Sequence, residues 1–217
     1  MIEIKGLEKK FKNELVIKYK DYKFENDKKY ILLGASGCGK STLLNMISGI
    51  LSPTRGQIFI DDKEVTSESQ HEKDKFRIQK IGYIFQDFKL IEEMTIMDNI
   101  EVLRIEGIDT SSANELLKKL SMYEKRNKKI KELSGGEKQR VAIVRALVKS
   151  PEIILADEPT GNLNFSIGET VIKELTDVAQ GKTLIVVSHD ERLTKYFDVV
   201  INMNEMTSSY EEDSQNV

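Results

Sequence analysis

Residues 34–41 read GASGCGKS, and glycines ahead of a Lys-Ser pair at this spacing suit the holding of a polyphosphate. Gly34, Gly37 and Gly39 allow backbone geometry in which successive N–H groups converge. The loop of Gly34, Ala35, Ser36, Gly37, Cys38 and Gly39 is therefore expected to ring a β-phosphate. Lys40 should reach the β- and γ-oxygens, Ser41 should ligate Mg²⁺, and Thr42 should lie near the α-phosphate. A Lys-Ser-Thr run opening a helix after a buried strand has little packing purpose, which argues against a plain glycine-rich turn. Cys38 is read as a small filler of this loop, or as a thiol made prone to alkylation by the helix start and Lys40, and in neither case as catalytic.

The stretch EIILADEPT, residues 152–160, is an apolar strand ending in two carboxylates. Adjacent strand residues point to opposite sides, yet at the carboxyl end both can border a ligand crevice. A division of labour follows, in which Asp157 holds Mg²⁺ through water and Glu158 polarises the attacking water as general base. Alone, such a pair is as readily a solvated acidic strand end; the phosphate cradle tips the reading toward hydrolysis. His189 follows the apolar strand TLIVVS and Gln86 ends the strand IGYIF, so both are expected at the same sheet edge. His189 suits a hydrogen bond to the γ-phosphate, and Gln86 suits contact with Mg²⁺ or the water. His71, in the polar run SESQHEKDK, is read as structural or exposed, with no part in the site.

A second anion site is written in LSGGEKQR, residues 133–140. Ser134, Gly135 and Gly136 run into a charged helix whose N-terminus carries partial positive charge, and glycines let backbone N–H groups approach closely. One chain has no evident use for two such sites.

Strands alternating with helices must carry these groups. Leu15, Ile17 and Tyr19 alternate, then Tyr22 and Phe24 repeat the pattern after a register change, which predicts early antiparallel strands. Residues 30–33 form a continuous apolar run closing on glycine, as in a buried parallel strand, and residues 57–60, 81–85, 153–156 and 183–188 are read alike. Helical patterns cover residues 40–48, 113–120, 136–149, 167–179 and 191–197. The expected fold is α/β with a mainly parallel sheet core and an N-terminal antiparallel β-subdomain. Residues 92–131 show helical patterns and no buried strand, so an α-helical subdomain is expected over about residues 87–140. It interrupts a core of residues 1–86 and 141–205 within one domain of residues 1–217, and the polar tail 206–217 is expected to fray.

With 217 residues the chain can bury a sizeable core. Its net charge of -3 leaves no global basic field to argue for nucleic acid. The basic cluster of Lys118, Lys119, Lys125, Arg126, Lys128, Lys129 and Lys131 is interleaved with glutamates and reads as a solvated helix face. Cys38, the single cysteine, leaves no internal disulfide and fits a reducing compartment. No apolar run approaches the roughly 20 residues that span a bilayer, and MIEIKGLEKK carries no signal segment. A cytosolic chain, brought to a membrane only by another protein, is the expectation.

Taken in order, these segments resemble the ATP-binding subunits of ABC transporters. GASGCGKST matches the Walker A motif, Gln86 the Q-loop, LSGGEKQR the signature, ILADE the Walker B motif, and Ser188-His189-Asp190 the H-switch. The resemblance runs from about residue 2 to residue 203, and the signature is its most specific element. It implies a P-loop NTPase of the ABC ATPase kind that takes ATP and Mg²⁺ and couples hydrolysis to transmembrane movement. It also implies a head-to-tail homodimer, or a pair with another ABC subunit, in which each signature caps the ATP held by the other copy. Ser134, Gly135 and Gly136 would then bind the γ-phosphate of the partner's nucleotide. Phe11 stands where the family has an adenine-stacking aromatic, normally tyrosine, although a packed strand-end phenylalanine reads as well.

Finer resemblance, in IGYIFQDFKLIEEMTIMDNI and DEPTGNLN, is to the subgroup serving lipoprotein release, macrolide export, antimicrobial-peptide resistance and cell division. Those ATPases work with a separate membrane permease. The resemblance thus implies a peripheral position on the cytoplasmic face, with the permease docked in a groove between Gln86 and Met97. Phe88, Leu90 and Met94 offer apolar surface there, or else belong to the core. Export of a peptide, lipid or hydrophobic compound is the leading expectation. ATP-driven mechanotransmission to an extracytoplasmic activity is the alternative. A soluble ABC ATPase acting on DNA or ribosomes comes third, since no long coiled coil or zinc-cysteine module separates the Walker motifs. Two departures stand out. The family's GNLD is here Gly161-Asn162-Leu163-Asn164, which removes a charge at the expected dimer interface and is expected to reduce coupling or turnover. The end, INMNEMTSS, lacks the usual Asp-Gly turn, and no regulatory C-terminal domain is expected.

Overall fold

Ile2, Ile4 and Leu7 are fully buried while Lys5 and Gly6 are exposed, the signature of a strand with one face on a core. The structure, a computed structural model, describes residues 1–12 and 15–211. It begins with β1 (Ile2–Lys10), β2 (Leu15–Tyr19), β3 (Tyr22–Phe24) and β4 (Lys29–Leu33), followed by α1 (Lys40–Ile47). Next come β5 (Arg55–Ile60), β6 (Lys63–Glu64), α2 (Gln70–Lys80) and β7 (Ile81–Ile84). A helical stretch holds α3 (Ile96–Glu101), α4 (Ala113–Lys119) and α5 (Gly135–Leu147), joined through short 3₁₀ segments at Val102–Glu106, Tyr123–Lys125 and Ile130–Glu132. The remainder is β8 (Ile153–Asp157), α6 (Phe165–Val178), β9 (Thr183–Ser188), β10 (Val199–Asn202), α7 (Met203–Met206) and β11 (Thr207–Glu211).

Two sheets result. The antiparallel one runs β11-β2-β1-β5-β6, with β3 also on β1; the parallel one runs β10-β4-β9-β8-β7. The parallel sheet is the middle layer, and the two-residue period shows it. Ile31, Ile154, Ala156, Leu184 and Val186 join a core with α3, α4, α5 and α6, whereas Tyr30, Leu32, Ile153, Leu155, Ile185 and Val187 join one with α1 and the antiparallel sheet. Strands covered on both faces read as unbroken apolar runs, which is why they were visible as such. Their carboxyl ends deliver residue 34 after β4, Gln86 just beyond β7, Asp157 at the end of β8 and His189 just beyond β9 to one edge.

The sequence expectations need correction in several places. Residues 57–60 are not a parallel strand: β5 pairs antiparallel with β1, Ile58 opposite Ile4, because an apolar run carries no information on strand direction. The polar tail does not simply fray. Thr207–Glu211 forms β11 against β2, Tyr210 opposite Val16, since an edge strand asks only for backbone hydrogen bonds; residues 212–217 lie outside the described residues. The helix α2 escaped the periodicity because none of its residues is fully buried; Ser69 caps it by accepting from Glu72 N–H, and His71 on it is exposed. The helical pattern over residues 191–197 forms a 3₁₀ segment, Glu191–Tyr196, rather than an α-helix. The expected join at residues 140 and 141 falls inside α5, a continuous helix that itself carries the connection. In the basic cluster, Lys119 pairs with Glu115 at 2.8 Å and Lys131 with Glu93 at 2.8 Å, while Lys118 and Arg126 stack on Tyr123.

Candidate active site

The loop between β4 and α1 is shaped by its glycines. Gly39, the residue capping α1, sits at φ +98°, a left-handed conformation open to glycine, and α1 has no side-chain cap. Its first N–H groups have no partner within the helix and face the loop. Lys40 folds back over that loop: buried to 6% exposure, its Nζ donates to the carbonyls of Gly34 at 2.6 Å and Ala35 at 3.0 Å. Cys38 is half-buried and packs on the core beside Gly34, the filler role expected of it.

The carboxylates meet the loop from the end of β8. Ser41 Oγ donates to Asp157 Oδ1 at 2.7 Å. Burial raises the Asp157 pKa above its usual range, an effect the Ser41 hydrogen bond and the Lys40 charge oppose and the neighbouring Glu158 charge reinforces. Glu158 has φ +42°, a strained backbone for a residue with a side chain. Its N–H donates to the Val187 carbonyl of the next strand at 3.1 Å. Its carboxylate faces two ways, with Oε1 3.5 Å from Lys40 Nζ and Oε2 3.0 Å from His189 Nδ1. An ionised carboxylate only accepts, so the His189 Nδ1–H is the donor of that contact.

A cavity of about 340 Å³ lies over the loop, and its lining unites Phe11, Ser36, Lys40, Ser41, Thr42 and Gln86, with Glu158 at its border. Ser134, Gly135 and Gly136 do not line it. Ser134 caps α5 in a reciprocal box with Glu137: the Glu137 N–H reaches Ser134 Oγ at 3.4 Å, and the Ser134 N–H donates to Glu137 Oε2 at 2.8 Å. Lys125 donates to the same carboxylate and, with Ser134, holds its pKa down at about 2. Gly135 packs on Leu163 and Gly136 on Ile167, so the signature turn rests on the loop that follows Glu158 and on the first turn of α6.

Two contributors were not anticipated from sequence. Asn162 Nδ2 donates to the Gln86 carbonyl at 3.0 Å, tying the loops after β7 and β8 together. The Ser134–Glu137 box was legible as S-x-x-E before an apolar run, but the glycines drew the reading toward an anion site alone. Ser41 and Asp157 offer two hard oxygen ligands side by side, which fits Mg²⁺. Among the described residues no three His, Cys, Asp or Glu side chains form a metal cluster, so the rest of such an ion's shell would come from phosphate oxygens and water.

The chain is similar to known proteins along most of its length. The family described as ABC transporter matches residues 17–161. An uncharacterised ABC transporter ATP-binding protein of Methanocaldococcus jannaschii is 38% identical, covering 94% of this chain and 96% of its own. The lipoprotein-releasing system ATP-binding protein LolD of Bacteroides fragilis is 37% identical over 94% of this chain and 97% of its own. Among solved structures, a dimeric bacterial ABC transporter cassette superposes with a TM-score of 0.83 at 34% identity, covering 97% of this chain and 98% of that one. A post-hydrolysis cassette dimer bound to ADP and Pi superposes with a TM-score of 0.82 at 35% identity, over 93% and 94%.

Proposed function

This chain belongs to the ABC transporter family as an ATP-binding, ATP-hydrolysing subunit, and on that premise we propose that two copies close head to tail around two ATP molecules to drive a separate membrane permease. The observation that carries this reading is the division of the two anion-binding turns. Lys40, Ser41 and Glu158 line one cavity, with Asp157 bound to Ser41, while Ser134–Gly136 lie outside it. A second copy would supply the missing signature, as the dimeric relatives would lead one to expect.

The residues divide the work as follows. Backbone N–H groups of residues 34–39 and of the α1 start hold the phosphates. Lys40 exchanges its carbonyl partners and Glu158 for β- and γ-oxygens, which frees the Glu158 carboxylate to accept a proton from the attacking water. His189 keeps that carboxylate aimed. Ser41 and Asp157, with Gln86 on the same cavity, would hold Mg²⁺, which when bound neutralises charge on the β- and γ-phosphates. Phe11, on the cavity wall, is the stacking surface for adenine.

No helix among the described residues is long and apolar enough to cross a membrane; in this reading the permease is a separate chain. Phe88 and Leu90 are half-buried, and Arg145 binds the carbonyls of Phe88 at 2.8 Å and Lys89 at 2.5 Å, leaving Ile91 and Met94 as the exposed apolar groups of the expected docking stretch. A cavity of about 1020 Å³ between α2 and residues 106–112, next to Ile105 at 80% exposure, extends the surface available to the permease. That face would turn toward the cytoplasmic side of the membrane. The similarity to a lipoprotein-releasing ATPase favours export of a lipid-bearing or hydrophobic cargo. The test is the mass of Glu158→Gln in solution: a dimer is expected with ATP and a monomer with ADP. A monomer that binds ATP without associating would sink the head-to-tail reading.

A further inference from the structure

The Gly39 carbonyl, at the close of the phosphate loop, carries two hydrogen bonds. Leu43 N–H donates to it at 2.9 Å as the first turn of α1, and the Tyr19 hydroxyl donates to it at 2.9 Å from β2. The peptide that follows is trans, so the Lys40 N–H points away from that carbonyl. Fixing the carbonyl fixes the peptide plane and turns the Lys40 N–H, one of the donors left over at the helix start, toward the loop.

We propose that Tyr19 is a positioning residue for nucleotide binding, whose hydroxyl holds the Gly39 carbonyl and thereby presents the Lys40 backbone N–H to the phosphates. This rests on the reading of residues 34–42 as the phosphate site. Tyr19 is 4% exposed, and a methyl group at Gly39 would stand 2.6 Å from its hydroxyl and 3.2 Å from Ile17 Cγ2, so β2 lies directly on the loop. Burial pushes the Tyr19 hydroxyl well above its ordinary range, which keeps it a donor.

The strand carrying Tyr19 is itself held on both sides. β1 pairs along one edge of β2, and β11 along the other with Thr207 opposite Tyr19; Lys20 N–H donates to the Met206 carbonyl at 2.8 Å. The same terminal segment reaches the other end of the loop, where Met203 Cβ lies 3.0 Å from the position a methyl at Gly34 would take. Both ends of the phosphate loop therefore rest on β2 and on residues 203–207.

Tyr19→Phe in the full chain keeps the ring and removes only the hydroxyl. The dissociation constants of ATP and ADP are expected to rise about three- to tenfold, the size of one hydrogen bond. At saturating ATP kcat should hold within about twofold, because the lost interaction is made with ground state and transition state alike. Tyr19→Leu, which removes the ring as well, should weaken binding at least as far. Unchanged ATP and ADP affinity in Tyr19→Phe, with loss only in Tyr19→Leu, would mean packing alone and would overturn the proposal. Lys40→Ala separates the premise: if it still binds ATP as the parent does, the phosphate-loop reading fails and this proposal with it.

Discussion

Lys40 and Glu158 face one another across the phosphate loop, Nζ to Oε1 at 3.5 Å, with side chains only 6% and 13% exposed. The cation that should receive the nucleotide's charge and the carboxylate that should activate water thus neutralise each other before nucleotide arrives. Lys40 is also bound to the loop's own carbonyls. The dianionic end of a nucleotide competes for Lys40 against a partner it must displace, and displacement leaves Glu158 with His189 alone. On the proposed roles, binding and exposure of the base would be one event.

The first consequence concerns Glu158→Gln. A neutral amide competes for Lys40 only as a weaker acceptor, so ATP should bind more tightly than to the parent, while loss of the general base lowers phosphate release by roughly 10²–10⁴-fold. Equilibrium binding of ATP and steady-state phosphate release, measured on the same preparation, check both halves. Weaker ATP binding in the variant would show that the ion pair does not restrain Lys40.

A second prediction follows from the start of the signature helix. Lys125 first, then the Ser134 backbone N–H, hold the Glu137 carboxyl at about 2 against an ordinary 4.5. A carboxyl with a depressed folded-state pKa contributes stability above its unfolded value, and that contribution is lost as pH falls from about 4.5 toward 2. Glu137→Gln should cost about 1 kcal/mol at pH 7, the size of a helix cap with a solvent-screened ion pair. The gap between parent and variant should close as the pH approaches 2. Urea midpoints at pH 7, 4 and 2.5 read this directly; a gap that stays constant with pH would leave the cap intact but remove the charge from the account.

Much of this was legible in the sequence because the parallel strands are buried on both faces and end at functional residues: TLIVVS leads to His189 and IILAD to Glu158. Local patterns name such strands and motifs well. They name poorly whatever depends on what a segment is laid against. The tail sequence TSSYE has no apolar period, and its strand exists only because β2 offers an open edge. The polar helix α2 is set by its cap, not by a buried stripe. Tyr19 read as one member of an alternating strand; the use of its hydroxyl depends on a carbonyl 20 residues away. Asn162 likewise looked like a loop residue, since its partner Gln86 lies 76 residues earlier.

Asn164 stands where the family resemblance leads one to expect aspartate, and the structure gives that residue a local task. Its Oδ1 accepts the Ile167 N–H at 3.0 Å and the Ser166 hydroxyl at 3.1 Å, capping α6, whose first turn holds no acidic residue. Aspartate would accept the same two bonds and add a charge favoured by the helix dipole, worth about 0.3–1 kcal/mol. Asn164→Asp should therefore raise thermal stability, and Asn164→Ala should lower it by about 1 kcal/mol. The residue also anchors the loop that touches Gln86 through Asn162 and Gly135 through Leu163. If that loop faces a second copy, as proposed, an added charge on it should raise ATP turnover about two- to fivefold, the range of an exposed charge pair. The two effects separate in one experiment on Asn164→Asp. A higher melting temperature with unchanged turnover and unchanged ATP-driven dimerisation would make Asn164 a helix cap and nothing more.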